Sequence, residues 1–434
     1  MTELAVAALL TGVLVVASRA APAALRRSLP AAVLGGLLAL MLRQVDLLPG
    51  SVMAWQDVGY HLFGASFLAI GLTPSESMGI SLRDGAAWMG VGQWVSFPLQ
   101  AVVGGLVTWV VIRTGGDLHP AFGFLAPMGL NEGPGQAVSI GRLWEAEGLA
   151  NAPSIGATMA SLGFVVAYAG GVLVTRRTRR SDRSRSPVTA SADHTAERLA
   201  RAVDTRTPTA VGDRRSVAMT ALAVAAGYTA IYLLVRWGTG LIGPDVQDLV
   251  LAVLFFVCLL IGMAIRALLG RARVQVDGSA LRTVTVWAVD GLTIAILGSL
   301  AWANVSGVAV PMMAVVVLAV AATAAAIWLM GRRLPALRLE RQLALFGTVT
   351  GTAASGLALI AMVDPDMETS TSTELGAAVV VSTPVVLAGI AITTLAATGA
   401  LSLMTTIAVL AALVAAAGAV QWWIVRRLTQ PGSH

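Results

Sequence analysis

The sequence predicts an all-α polytopic membrane protein: two inverted five-helix repeats, each with a re-entrant hairpin, plus one extra C-terminal span. Three observations lead there. Of 434 residues, 56% are hydrophobic and only 12% charged, roughly half the charged share of a soluble domain. Apolar runs approaching or reaching the ~20 residues of a bilayer crossing recur along the chain. Two further apolar stretches are broken by clustered Gly, Pro, Ser and Thr and occupy matching places in the two halves. A mean hydropathy of +0.79 excludes soluble enzymes, disordered chains and coiled coils, because the polar faces that flank a soluble core are missing.

The crossings read, in order, near Leu4–Ser18, Leu29–Leu42, Val52–Leu72, Ala86–Ile112 and Pro153–Val174, then Val217–Val235, Leu249–Ile265, Val284–Ala303, Val308–Met330, Leu375–Ala397 and Leu401–Val425, about eleven in all. The first repeat is thus 1–175 with its hairpin at 122–144. The second is 216–434 with its hairpin at 346–364, Leu401–Val425 being the extra C-terminal helix. Between them, 176–215 is an Arg-rich linker of eleven Arg against five acids, too polar to bury a core and read as a solvated tether in contact with anionic lipid.

Charge orients the chain. Every basic residue is Arg, and positive residues concentrate on the cytoplasmic side. Glu3 precedes the first run while Arg19, Arg26 and Arg27 follow it, so the run is an uncleaved span with its N-terminus outside rather than a signal peptide. Alternation from that start puts Arg26/Arg27, the linker, Arg266/Arg271/Arg273, Arg332/Arg333/Arg338/Arg341 and Arg426/Arg427 inside, with the C-terminus. Arg43, Arg113 and Arg142 are exceptions. The expected location is a bacterial plasma membrane, the Arg-only, Ala- and Val-rich usage fitting a GC-rich source. A basic linker without base-stacking aromatics, set between apolar spans, gives no reason to expect nucleic acid. The single Cys258 excludes a disulfide framework and a Cys-rich metal site.

The broken stretches carry the functional signal. They read GFLAPMGLNEGPGQAVSIG from Gly123 to Gly141 and GTVTGTAASGLALIAMVDPD from Gly347 to Asp366. Backbone that leaves the helical ladder inside a membrane must be buried in protein or line a polar cavity. Because the two repeats start on opposite sides, the hairpins enter from opposite faces, the pattern of secondary transporters that alternate access around a fixed site. Thr348, Thr350, Thr352, Ser355 and Ser139 supply hard oxygens suited to Na⁺, with Thr348, Thr350 and Thr352 as its candidate ligands. No other cofactor is implied.

These residues resemble the sodium:glutamate symporter family, above all Asn131–Glu132–Gly133–Pro134–Gly135–Gln136, Gly347–Thr348, Gly351–Thr352 and Ser355–Gly356. The resemblance implies two five-span inverted repeats with Gly-rich hairpins, a site at those residues, symport of glutamate or another small anionic or zwitterionic solute with Na⁺ as coupling ion, and a homodimer formed through the non-moving unit. The turns differ from the family's Gly-Gly-His-Gly-Thr and Gly-Ala-Thr-Pro types, which marks a divergent member. Glu132 stands where it would repel a glutamate side chain unless a cation or proton intervenes.

Ionisable residues in spans are functional candidates by default, each set against a simpler reading. Glu132 faces a cavity or is solvated at a surface turn. Asp57 and His61, four apart on one helical face, form an ion or proton-handling pair, or belong to an interfacial helix start marked by Trp55 and Tyr60. Asp290 neutralises an Arg of another helix or serves a cation site. Asp364–Pro365–Asp366 attracts cations or stops a half-helix. Gln93, Gln100 and Asn304 read as interhelical hydrogen bonds before ligands. The alternatives to symport are a cation/proton antiporter using Glu132 or Asp290 and a transport-inactive scaffold of the same fold. An enzyme is not expected: no HExxH, P-loop, acid cluster or Gly-x-Ser-x-Gly occurs, and the four His are scattered at 61, 119, 194 and 434.

Overall fold

The computed structural model of the chain describes residues 2–21, 31–73, 85–183, 214–243, 246–247, 250–251, 254–274, 276–300, 304–364 and 369–429. Among them the regular structure is all helix: α1 (Thr2–Arg19), α2 (Ala31–Gln44), α3 (Val52–Leu72), α4 (Gly85–Arg113), α5 (Leu125–Leu130), α6 (Pro134–Ala146), α7 (Ala152–Arg183), α8 (Arg214–Gly240), α9 (Leu254–Arg271), α10 (Gly278–Gly298), α11 (Ala309–Gly331), α12 (Arg338–Val349), α13 (Ala353–Val363), α14 (Thr371–Ala397) and α15 (Leu403–Leu428). Nine of the described helices are long and apolar enough to cross a membrane, as in a polytopic membrane protein. The two expected runs outside those nine also fall on helices: α2 is short, and α3 carries Gln56, Asp57 and His61 in its first half.

Several boundaries differ from the apolar runs. Helix α7 continues to Arg183 and α8 begins at Arg214, so the linker expected over 176–215 opens and closes in helix. Residues 184–213, with His194, lie outside the described residues, as do Arg26, Arg27, Pro365, Asp366 and His434. Hydropathy measures bilayer thickness, whereas a helix stops only at a breaker or cap, and RRTRRSDR holds neither Gly nor Pro. For the same reason α12 starts at Arg338, ahead of the apolar stretch expected from residue 346.

By internal contact the chain divides into two units, neither of which is a sequence half. The first comprises Met1–Glu76, Val138–Leu143 and Ala200–Trp302, and so contains α1–α3 and α8–α10. Helix α3 packs on α9 and α10, with α1 and α2 also against α10. At the α3–α9 crossing a Cβ on Gly71 would lie 2.5 Å from Leu259 O, and one on Gly262 2.7 Å from Leu68 O, the close backbone approach that small residues allow in membranes. Trp55 is fully buried and its indole donates to Pro49 O at 2.8 Å. Asp277 caps α10, accepting from the Ser279 and Ala280 N–H groups. The Ser216 hydroxyl foremost, then these amides, hold its carboxyl well below the usual range.

The second unit comprises Ser77–Ala137, Trp144–Leu199 and Ala303–His434. Helix α4 packs on α11, α14 and α15, while α12 packs on α13 and α5 on α7. Ahead of α5, Gly123 lies against Gly104 of α4 so closely that neither has room for a Cβ. Thr108 secures this contact, its hydroxyl accepting from Gly123 N–H at 2.9 Å and donating to Gly104 O at 3.0 Å. Arg341, counted from sequence among the inside loop charges, is instead buried in a bidentate pair with Glu374 of α14, at 2.9 and 2.7 Å.

Two of the three orientation exceptions have structural roles in the first unit. Arg43 donates to Gly298 O at the end of α10 and to Leu48 O and Gly50 O, satisfying carbonyls that a helix end leaves open. Arg142 lies 2.7 Å from Asp57 and over the Tyr60 ring, 5.2 Å from its centroid. Arg113, in the second unit, sits 5.9 Å from the centroid of the Trp109 ring.

Candidate functional site

Within the second unit, two helices are interrupted where Gly and Thr cluster. After α5 the chain passes through Asn131 and Glu132 to Gly133, whose φ of 87° is left-handed space that favours Gly. Pro134 then opens α6 at the position where its missing N–H costs nothing. After α12 the chain passes through Thr350 and Gly351 to Thr352, extended at φ −155°, and α13 begins at Ala353.

The two interruptions meet. A Cβ on Gly133 would lie 2.9 Å from Thr352 Cγ2 and 3.4 Å from Gly351 O. Residues from opposite halves of the sequence thus touch at the points where both helices break. Two helix N-termini, of α6 and α13, and two C-termini, of α5 and α12, converge with partial charges of opposite sign.

Polar side chains surround this point. Gln100 of α4 is 0% exposed, and its Nε2 donates to Val349 O at 2.8 Å and to the Thr323 hydroxyl of α11 at 3.3 Å. It bonds across helices as expected, yet its Oε1 has no partner among the described residues. Thr350 donates to Phe346 O at 2.6 Å and Thr348 to Ala344 O at 2.8 Å, which leaves both hydroxyl oxygens as acceptors. Asn131, with its amide turned to satisfy both neighbours, donates to Glu132 Oε1 at 3.1 Å and accepts from Phe97 N–H at 3.2 Å. Pro98, inside α4, removes a ladder hydrogen bond beside that N–H.

Gln136 and Ser355 are each 1% exposed, and Gln136 Nε2 and Ser355 Oγ have no partner among the described residues. Each is the third residue of its half-helix. Ser355 Oγ lies 2.7 Å from where a Cβ on Gly351 would stand. Gly347 and Gly356 meet in the contact between α12 and α13, where a Cβ on Gly347 would lie 2.8 Å from the Gly356 Cα. Gly135 follows Pro134 in the first turn of α6.

Of Thr348, Thr350 and Thr352, expected together as Na⁺ ligands, Thr348 lies within α12 and Thr350 is the residue that caps its C-terminus. Thr348 faces Gly356 in the α12–α13 contact. Thr350 and Thr352 remain at the break. Among the described residues no group of three or more His, Cys, Asp or Glu could hold a metal ion.

The other candidates lie elsewhere. Asp57 and His61 do not pair with each other: Asp57 meets Arg142, an electrostatic contact without an aligned hydrogen bond, and His61 Nδ1 meets the Tyr228 hydroxyl at 2.8 Å. Each meets a partner on another helix instead, Arg142 of α6 and Tyr228 of α8. Asp290 pairs with Arg19 of α1 at 2.5 Å, the Arg-neutralising one of its two readings, and Arg19 also covers the Trp287 ring, 4.9 Å from its centroid. Ser139 is buried in the stretch of α6 assigned to the first unit. Asp364 accepts from the Thr369 N–H and hydroxyl at 2.9 and 2.7 Å, so it ties the end of α13 to the residues just before α14. Asn304 reaches Ser154 Oγ at 3.5 Å.

Sequence reasoning missed Phe97 N–H, Thr323 and the Arg341–Glu374 pair. Pro98 was the available signal for the first; the others are partners on distant helices with no local mark. In comparisons with protein-family models, curated proteins and solved structures, nothing matches the chain.

Proposed function

We propose that the chain is a secondary active transporter that couples a cation, Na⁺, to a small anionic or zwitterionic solute by alternating access. The contact of Gly133 with Gly351 and Thr352 carries this reading, because broken helices placed tip to tip inside a membrane protein have a physical use when they bind something. On this reading α5–α6 and α12–α13 are re-entrant hairpins of two inverted repeats, α1–α7 and α8–α14, with α15 appended. The composition of the units supports it: each half gives its first three helices to one unit and its fourth helix, broken pair and last helix to the other, except that Val138–Leu143 of α6 falls in the first unit. The oxygens of Thr350 and Thr352 would hold the coupling ion. The converging N-termini of α6 and α13 would receive the solute's negative group. The proposed setting is a bacterial plasma membrane with the N-terminus outside and the linker inside, and the proposed assembly a homodimer.

The test is uptake into liposomes of labelled amino acids and dicarboxylates, glutamate among them, with and without an inward Na⁺ gradient. Uptake of a solute only with the gradient is the expected result. A second reading, cation/proton antiport, draws on Glu132, a carboxylate at the break with no cationic partner among the described residues. Proton release on Na⁺ addition without any organic solute would favour it. A transport-inactive scaffold would show neither response.

A further inference from the structure

We infer that the solute is a zwitterion of no net charge, a small neutral amino acid being the simplest case, with its ammonium group received by Glu132. The inference rests on the transport reading above and narrows its solute. Glu132 lies at membrane depth on that reading, where an unpaired carboxylate costs at least ~2.5 kcal/mol. Among the described residues no Arg or His pairs with it. Among the described residues, then, nothing supplies its compensating charge.

Asn131 discriminates between the candidates for that charge. Its oxygen is taken by Phe97 N–H, so it turns its amide donor toward Glu132. A Na⁺ ion beside Glu132 would meet an N–H where it needs one of several oxygens. An ammonium needs only the one charged acceptor and supplies its own donors. The anionic end of the solute has a complementary place. Gln136 Nε2 and Ser355 Oγ, both buried and without partners among the described residues, stand at the same position of the two half-helices whose N-termini converge, and both can donate to a carboxylate. A second carboxylate would share the site with Glu132, and like charges in a low-dielectric interior repel strongly. Dicarboxylates are accordingly poor ligands.

The test uses the purified full-length protein, following thermal unfolding with glycine, L-alanine, L-serine, succinate or NaCl alone. Glycine, alanine or serine should stabilise the protein and succinate should not. Glu132→Gln should shift the amino-acid response to concentrations roughly thirtyfold higher or more, while the response to NaCl is kept. Glu132→Asp should retain part of the amino-acid response, and it provides the comparison if Glu132→Gln does not fold. The inference is overturned if no neutral amino acid stabilises the wild type, if succinate does so equally well, or if Glu132→Gln leaves the amino-acid response unchanged. Loss of the NaCl response in that variant also overturns it, since Glu132 would then hold the metal ion. If Glu132-dependent stabilisation is seen but liposomes take up none of these amino acids, transport fails and the assignment of Glu132 stands.

Discussion

At Gly133 two constraints fall on one Cα: a φ of 87° and the approach of Thr352. Gly115 has nearly the same φ, 89°, with nothing within 4 Å of where its Cβ would be. Alanine at Gly115 should therefore cost only the left-handed conformation, roughly 1–2 kcal/mol, and leave the proposed transport intact. Alanine at Gly133 should cost that and the contact together, and abolish the proposed transport. A thermal shift in Gly133→Ala no larger than in Gly115→Ala would mean that the two breaks are not in contact. Much at this scale was legible in the sequence. Glu132, Gln136 and Ser355 stand out because Gly- and Pro-broken polar residues in apolar sequence have few reasons to exist. What could not be read was pairing. The partners of Asp57, Asp290 and Gln100 are hundreds of positions or several helices away, and the helical spacing of Asp57 and His61 pointed to a local pair that lost to Arg142 and Tyr228.

Helix ends show how far periodicity reaches and where it stops. Each apolar run fell on a helix, yet α7 and α12 extend beyond the runs because Arg-rich sequence without Gly or Pro continues a helix. Helix α12 is held to α14 by the buried Arg341–Glu374 pair. Removing one partner leaves an uncompensated charge, so Arg341→Ala or Glu374→Ala should each cost about 3–5 kcal/mol. The double change Arg341→Met/Glu374→Leu should recover most of the loss in thermal unfolding; failure to recover would show that the pair also positions something its isosteres cannot. At the start of α10, Asp277 has a folded-state pKa depressed below its ordinary value of 3.8. A depressed acid stabilises the fold above its unfolded pKa and loses that contribution as pH falls through the folded one. Wild type should therefore be more stable than Asp277→Asn at neutral pH, with the difference, small for so exposed a group, shrinking below about pH 4. A difference constant with pH would assign the cap's contribution to hydrogen bonding alone.

The composition of the two units bears on the molecule as a whole. If the halves are inverted repeats, Asp117, after α4, and Arg333, after α11, stand at equivalent places on opposite sides of the membrane. Both are exposed, and Cys258, the one native cysteine, is buried. In a Cys258→Ala background, Asp117→Cys and Arg333→Cys should each react with an impermeant maleimide from one side only, and from different sides. Labelling of both from the same side would rule out the inverted arrangement. The same interleaving has a consequence for biogenesis. The break at Glu132–Gly133 meets its counterpart at Thr352, which the ribosome delivers some tens of seconds later at ordinary elongation rates. Throughout that interval the carboxylate and the interrupted helix of the first half lie without the surface that meets them in the finished fold.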